Sequence, residues 1–82
     1  MAEIYNDTLS AGGNSGDLTV TAGQNYGLLV EGKTRIEAKK GSVYETIGYA
    51  DESNPGVIIT APGTTLRLVD ESGADNDVEL NG

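Results

Sequence analysis

The sequence predicts an all-β protein: a small β-sandwich or barrel of about seven short antiparallel strands with an extended N-terminal arm. Short segments with the two-residue alternation of half-buried strands are separated by turn-forming residues, among them 12 glycines. No segment keeps a helical period over about ten residues. Strands at this spacing indicate two packed sheets or a closed barrel.

The predicted strands are bounded by glycine, asparagine, serine and proline, which favour turns. Gly41-Ser42 and Asn54-Pro55-Gly56 are the clearest turn signals. The strands are expected at residues 18–21, 26–31, 34–39, 43–49, 57–60, 64–69 and 78–80.

The segment 11–16 is rich in glycine, asparagine and serine. Such a composition is typical of flexible chain. We therefore expect residues 1–16 to form a flexible N-terminal arm and residues 17–82 to form the β-sandwich domain.

The charge balance narrows the class of partner. The chain has 13 acidic and 5 basic residues, a net charge of −8. Nucleic acids and anionic membranes need lysine and arginine to offset their own charge, so neither is an expected partner. The first residues also lack the basic and apolar regions of a signal peptide, so synthesis in a cytoplasm is expected.

The residue types that most often carry catalysis are missing. The sequence has no histidine and no cysteine, which removes the commonest general base and the usual ligands of transition metals. We predict neither an enzyme nor a cofactor. An 82-residue chain without disulfides has a modest core, so association with other subunits is expected as a source of stability.

The most acidic segment, residues 70–79, holds five carboxylates. A solvated turn between the last two strands is the interpretation we favour, because Asp, Asn and Gly suit turns. A calcium site is the alternative, since calcium prefers hard oxygen ligands.

Four of the five basic residues lie within eight positions, which predicts a polarised surface. Alternation places Arg35, Glu37 and Lys39 on one face of their strand, with Ile36 and Ala38 on the other. A solvated strand face is the simpler interpretation, and a contact with an acidic partner is the functional one. The candidate partner-binding residues are Lys33, Arg35, Lys39 and Lys40, together with Ile4 and Tyr5 from the arm.

The aromatic residues are four tyrosines, of which Tyr44 and Tyr49 belong to one predicted strand. They are five positions apart, so a regular strand would place them on opposite faces. We expect them to pack at the core or its rim and not to form a joint binding platform.

Three segments, residues 18–23, 41–47 and 61–69, combine a strand with an Ala-Gly, Gly-Ser or Pro-Gly corner, and the third carries a central arginine. In these features the chain resembles small β-rich accessory proteins in the virions of tailed bacteriophages. The resemblance implies a non-enzymatic head decoration (cement) protein on the capsid surface. It further implies binding to the major capsid protein and self-association, with a trimer favoured.

Two other functions stay open. A tail or fibre component is the alternative within virions. A carbohydrate-binding β module is the alternative of another class, although it would need exposed coplanar aromatics, and the chain has no tryptophan.

Overall fold

Residues 3–82, the part of the chain that this computed structural model describes, form eight strands and no helix. In chain order the strands are β1 (Glu3–Leu9), β2 (Leu18–Thr19), β3 (Asn25–Val30), β4 (Thr34–Lys40), β5 (Val43–Ala50), β6 (Gly56–Thr60), β7 (Thr65–Asp70) and β8 (Asn76–Asn81). They make two four-stranded antiparallel sheets, so the predicted all-β sandwich is confirmed. The strand beyond the expected seven is β1, which lies inside the predicted arm.

The order of the strands is that of a jelly roll. One sheet has the order β1-β8-β3-β6 and the other β2-β7-β4-β5. The hydrogen-bonded pairs are nested: β1 with β8, β2 with β7, β3 with β6 and β4 with β5. A chain with this pairing behaves as one long hairpin rolled into two sheets, which is the double-sheet jelly-roll architecture.

The core lies between the two sheets and follows the alternation of the strands. Tyr26, Leu28 and Val30 of β3 point inward, as do Leu66 and Leu68 of β7. Tyr26 is only 3% exposed, and its hydroxyl accepts a hydrogen bond of 2.7 Å from the amide of Thr21. This tyrosine is therefore a core residue with a satisfied polar tip, as a buried tyrosine requires.

The prediction of a flexible arm is wrong for residues 3–16. β1 pairs with β8, and Leu9 is a core residue that is 2% exposed. Ile4 and Tyr5, expected to grip a partner, pack partly against the same core. Residues 1 and 2, the start of the predicted arm, lie outside the described residues.

The glycine-rich segment 11–16 is held by backbone hydrogen bonds to β7. The Ser15 amide donates to the Leu68 carbonyl at 2.9 Å, and the Asp70 amide donates to the Gly13 carbonyl at 2.8 Å. Gly12 and Gly16 have positive φ angles of 71° and 73°, a conformation that glycine adopts without steric cost. The glycines thus shape a tight loop and do not make the segment flexible.

The described part of the chain offers no candidate for a membrane-spanning helix.

Replacing Leu9 by alanine tests whether β1 belongs to the body. We expect the free energy of unfolding to fall by about 2–4 kcal/mol, because a fully buried leucine is lost and a cavity remains. Urea unfolding followed by circular dichroism measures the change. The matched control is Ser10→Ala, at the exposed next position, for which a change within about 0.5 kcal/mol is expected. Equal stability of the two variants would show that β1 is an appendage.

Candidate functional site

The predicted basic surface is largely neutralised by its own neighbours. Arg35 and Lys39 do lie on the outer face of β4, as the alternation predicts. The Arg35 guanidinium lies 3.2 Å from the Glu37 carboxylate and also bonds Glu71. The Lys39 ammonium lies 2.9 Å from the Asp17 carboxylate. These two cations therefore already have partners within the chain.

Arg67, the remaining basic residue of the chain, extends the same network across the outer face of this sheet. The Arg67 guanidinium lies 2.7 Å from Glu37, whose side chain is almost covered, and stacks 3.5 Å from the centre of the Tyr44 ring. The Tyr44 hydroxyl bonds Asp17. Hydrogen bonds from Tyr44 and then from Lys39 lower the pKa of Asp17, and Asp17 in turn raises the pKa of Lys39. Ion pairs and stacking thus connect the charged side chains of this face to one another.

The other predicted partner-binding residues lie apart. Lys33 lies over the ring of Tyr49 at 5.1 Å, and Lys40 is exposed. Neither of them forms an ion pair with any residue of 3–82. Ile4 and Tyr5 are on β1, at the edge of the other sheet. The structure therefore does not bring the six predicted residues together into one surface.

The two strand tyrosines share one face, which corrects the expectation from their spacing. Tyr44 pairs with Lys39 and Tyr49 pairs with Arg35, so both lie on the outer face of the second sheet. The register of β5 shifts by one residue at Ile47, opposite the step between Ile36 and Glu37. A β-bulge of this kind inserts one unpaired residue and reverses the alternation beyond it.

The acidic segment is organised around one buried carboxylate. Asp70 is 4% exposed and accepts hydrogen bonds from the amides of Gly12 and Gly73, from the amide and hydroxyl of Ser72, and from the Asn76 side chain. Burial opposes its ionisation, but these hydrogen bonds outweigh burial and lower the pKa of Asp70 to about 2.

This arrangement favours the turn interpretation of the segment. Both carboxylate oxygens of Asp70 accept hydrogen bonds from N–H and O–H groups of the chain. The hydrogen atoms of these groups occupy the positions around the oxygens that a cation would need. No group of three or more potential metal-ligating side chains lies together among residues 3–82. Residues 71–75 form a tight turn whose shape is fixed by Asp70.

Apolar side chains are exposed on the side of the sandwich where β5 and β6 are the outermost strands. The large hydrophobic residues Leu29, Ile47, Tyr49 and Ile58 are each 41–75% exposed there. Ile58 and Leu29 border a depression of about 410 Å³ on the outer face of the first sheet, over Gly27 and Gly56. Ile58 also borders a groove of about 360 Å³ that runs between the sheets past Ile47 and Tyr49.

This apolar side is defined by Leu29, Ile47, Tyr49, Val57 and Ile58. Charged residues flank it, since Lys33 lies 5.1 Å from the centre of the Tyr49 ring and Leu29 also borders Glu31, Asp77 and Glu79. Within residues 3–82, every side chain that lines the depression or the groove is uncharged, although 22% of the chain is charged. Depletion of charge around exposed large apolar residues is typical of the centre of a protein–protein interface. We take the apolar side as the candidate functional site.

Sequence reasoning did not find this site because its residues come from β3, β5 and β6. The run Val57-Ile58-Ile59 was a signal of an exposed apolar residue. A strand that is buried on one face alone alternates apolar and polar residues, and this run has three apolar residues in succession. Here Val57 and Ile59 point inward, which leaves Ile58 between them as an outward apolar residue, 75% exposed.

Comparison with known proteins adds no relative: no family model, curated protein or solved structure matches this chain.

The depressed pKa of Asp70 makes a prediction about acid. Because its folded-state pKa of about 2 lies below the ordinary 3.8, its stabilisation is present at neutral pH and is lost as the pH falls from about 4 through 2. Asp70→Asn should lower the free energy of unfolding at pH 7 by on the order of 2 kcal/mol and should flatten this acid dependence. Urea unfolding at pH 7, 4 and 2 measures both effects.

Asp75→Asn is the matched control, because it removes an exposed carboxylate from the same turn. It should leave the stability at pH 7 within about 0.5 kcal/mol of the wild type. An acid dependence that survives unchanged in Asp70→Asn would assign the effect to other carboxylates.

Proposed function

We propose that this chain is a non-enzymatic structural protein of a tailed-phage virion, which decorates or cements the capsid. It acts through protein–protein contact with the major capsid protein, with other copies of itself or with both. The observation that carries the proposal is the apolar side, whose depression and groove are lined by uncharged side chains, because such a surface on a small, strongly charged protein fits a macromolecular partner.

The fold supports this proposal at the level of analogy. Jelly rolls of eight strands recur in the domains of viral capsids and also in lectins and cupins. Many functions share one fold, so the jelly roll favours a virion role but does not by itself identify the function. The sequence resemblance to virion accessory proteins points in the same direction, and a tail or fibre position is compatible with the same surface.

The chemistry of the apolar side fits a protein better than a small substrate. The depression is lined mostly by apolar side chains and backbone; its polar side chains are those of Asn25, Asn81 and Tyr26, and the Tyr26 hydroxyl already bonds Thr21. A pocket for a small ligand normally combines apolar walls with several convergent polar groups. An apolar anchor of a protein partner needs only shape and the exclusion of water.

Carbohydrate binding is the second candidate, because the β5 bulge places Tyr44 and Tyr49 on one face. Arg67 stacks 3.5 Å from the Tyr44 ring, however, and leaves Tyr49 as the more accessible ring, 50% exposed and with Lys33 5.1 Å from its centre. One accessible tyrosine makes a weak platform for a sugar ring. Binding to a glycan array that Tyr49→Ala abolishes would favour this candidate over the virion role.

The virion proposal predicts that the protein is present in purified particles of the phage that encodes it, in a fixed ratio to the major capsid protein. Quantitative mass spectrometry measures that ratio. Capsids that lack the protein should bind it when it is added back, and Ile47→Lys should weaken this binding at least about tenfold because a charge enters the apolar side.

Val43→Lys is the matched control for the capsid experiment. Val43 is also an exposed apolar residue of β5, at 59% exposure, but it borders neither the depression nor the groove. Its variant should bind capsids as the wild type does. Absence of the protein from particles, or failure of the wild type to bind capsids, would overturn the proposed function.

A further inference from the structure

The edge strands of the two sheets differ in how they are protected from pairing with another chain. An exposed sheet edge presents unpaired amides and carbonyls, and proteins block such edges with charges, prolines, bulges or very short strands. The edges formed by residues 3–82 are β1 and β6 in one sheet and β2 and β5 in the other. Three of them carry at least one such feature.

β1 carries the acidic residues Glu3 and Asp7 and has an irregular register between Glu3 and Tyr5. β2 is only two residues long. β5 has the bulge at Ile47, and its Glu45 lies opposite Ala38, which packs against the core. A charge on the inner side of an edge strand opposes the addition of a further strand.

β6 has none of these features. Its five residues include no charge and no proline, and its register against β3 is regular. The central residue, Ile58, is the most exposed large hydrophobic residue among residues 3–82, at 75%. A regular, uncharged, apolar edge strand is the kind that accepts another strand.

We infer that β6 pairs antiparallel with β6 of a second copy of this chain, which joins the two first sheets into one sheet of eight strands. The twofold axis passes near Ile58, perpendicular to the sheet, because a symmetric interface brings the same surface of both copies together. The same axis turns the grooves of the two copies, each bordered by Ile47 and Ile58, toward each other. This geometry gives a dimer, in place of the trimer that the resemblance implies.

The charge distribution favours a second copy over a charged partner. With a net charge of −8, two copies repel each other through most of their surfaces. The β6 edge is where they can meet without placing like charges in contact, since none of its five residues is charged. A basic partner, by contrast, would gain nothing from charge at this edge and would bind the acidic surfaces instead.

The available area is sufficient for a specific dimer. The body measures 29 × 28 × 19 Å, so a side across its two smaller dimensions offers at most roughly 500 Å² per copy, or about 1,000 Å² in total, which is the lower limit for specific interfaces. Backbone pairing along β6 and the contact of the two Ile58 side chains across the axis then supply directional and apolar contacts.

This inference rests on the proposed function only in taking the apolar side as a protein interface. It is tested on the full chain in solution, without capsids. A chain that is monomeric but still coats capsids would overturn the dimer and leave the proposed function standing. A dimer that never binds capsids would do the reverse.

Sedimentation velocity between about 1 and 100 μM should show a reversible dimer of the wild type. Ile58→Lys should weaken dimerisation at least about tenfold, because two charges would then meet across the axis. Val43→Lys, with the same change of net charge at an exposed apolar site that borders neither the depression nor the groove, should leave dimerisation as in the wild type. A wild-type monomer at the highest concentration, a trimer, or equal weakening by both variants would overturn the inference.

A cysteine probe tests the same contact without adding charge. The chain has no cysteine, so Ile58→Cys introduces a single thiol near the twofold axis, where residues opposed across an antiparallel pair lie within reach of a disulfide. Mild oxidation should convert most of this variant to a covalent dimer that dissociates on reduction. Val43→Cys should stay monomeric on a denaturing gel, and crosslinking of Val43→Cys but not of Ile58→Cys would contradict the pairing.

Discussion

One buried carboxylate, that of Asp70, ties together the loops at one end of the sandwich. It accepts hydrogen bonds from the loop after β1, through Gly12, and from the turn before β8, through Ser72 and Gly73. It also accepts a hydrogen bond of 3.1 Å from the Asn76 side chain. Because a jelly roll changes sheets at almost every loop, the relative position of its two sheets depends on how such loops are held together.

Asn76 carries the connection to a third loop, between β3 and β4. Its side-chain oxygen accepts from the Gly32 amide at 2.8 Å, and its nitrogen donates to the Thr34 hydroxyl at 2.8 Å. Gly32 is required there for lack of room, because a Cβ atom would lie 2.9 Å from the Cβ of Ser72. A buried polar group is stabilising only when it is fully hydrogen-bonded, and this network meets that condition at the end of a small core.

The strands and the inward-facing residues were predictable because the alternation of a half-buried strand is local. The outward placement of Arg35 and Lys39 follows from the same rule. The prediction of a flexible arm was wrong because the backbone of segment 11–16 is hydrogen-bonded to β7, which lies about 55 positions further along the chain. The prediction that Tyr44 and Tyr49 lie on opposite faces was wrong because a bulge depends on how a strand pairs with its neighbour. The apolar side could not be predicted from the sequence for the same reason, since the order of strands in space determines which strands are edges.

The central claim is that β6 is an edge in one copy and an interior strand in the dimer. Hydrogen–deuterium exchange of the β6 amides, measured over a range of protein concentrations, tests it most directly, because pairing with a second copy protects amides that otherwise face water. The account predicts that protection of β6 rises with concentration, while protection of β1, the opposite edge of the same sheet, stays constant. Exchange of β6 that is fast and independent of concentration would contradict it.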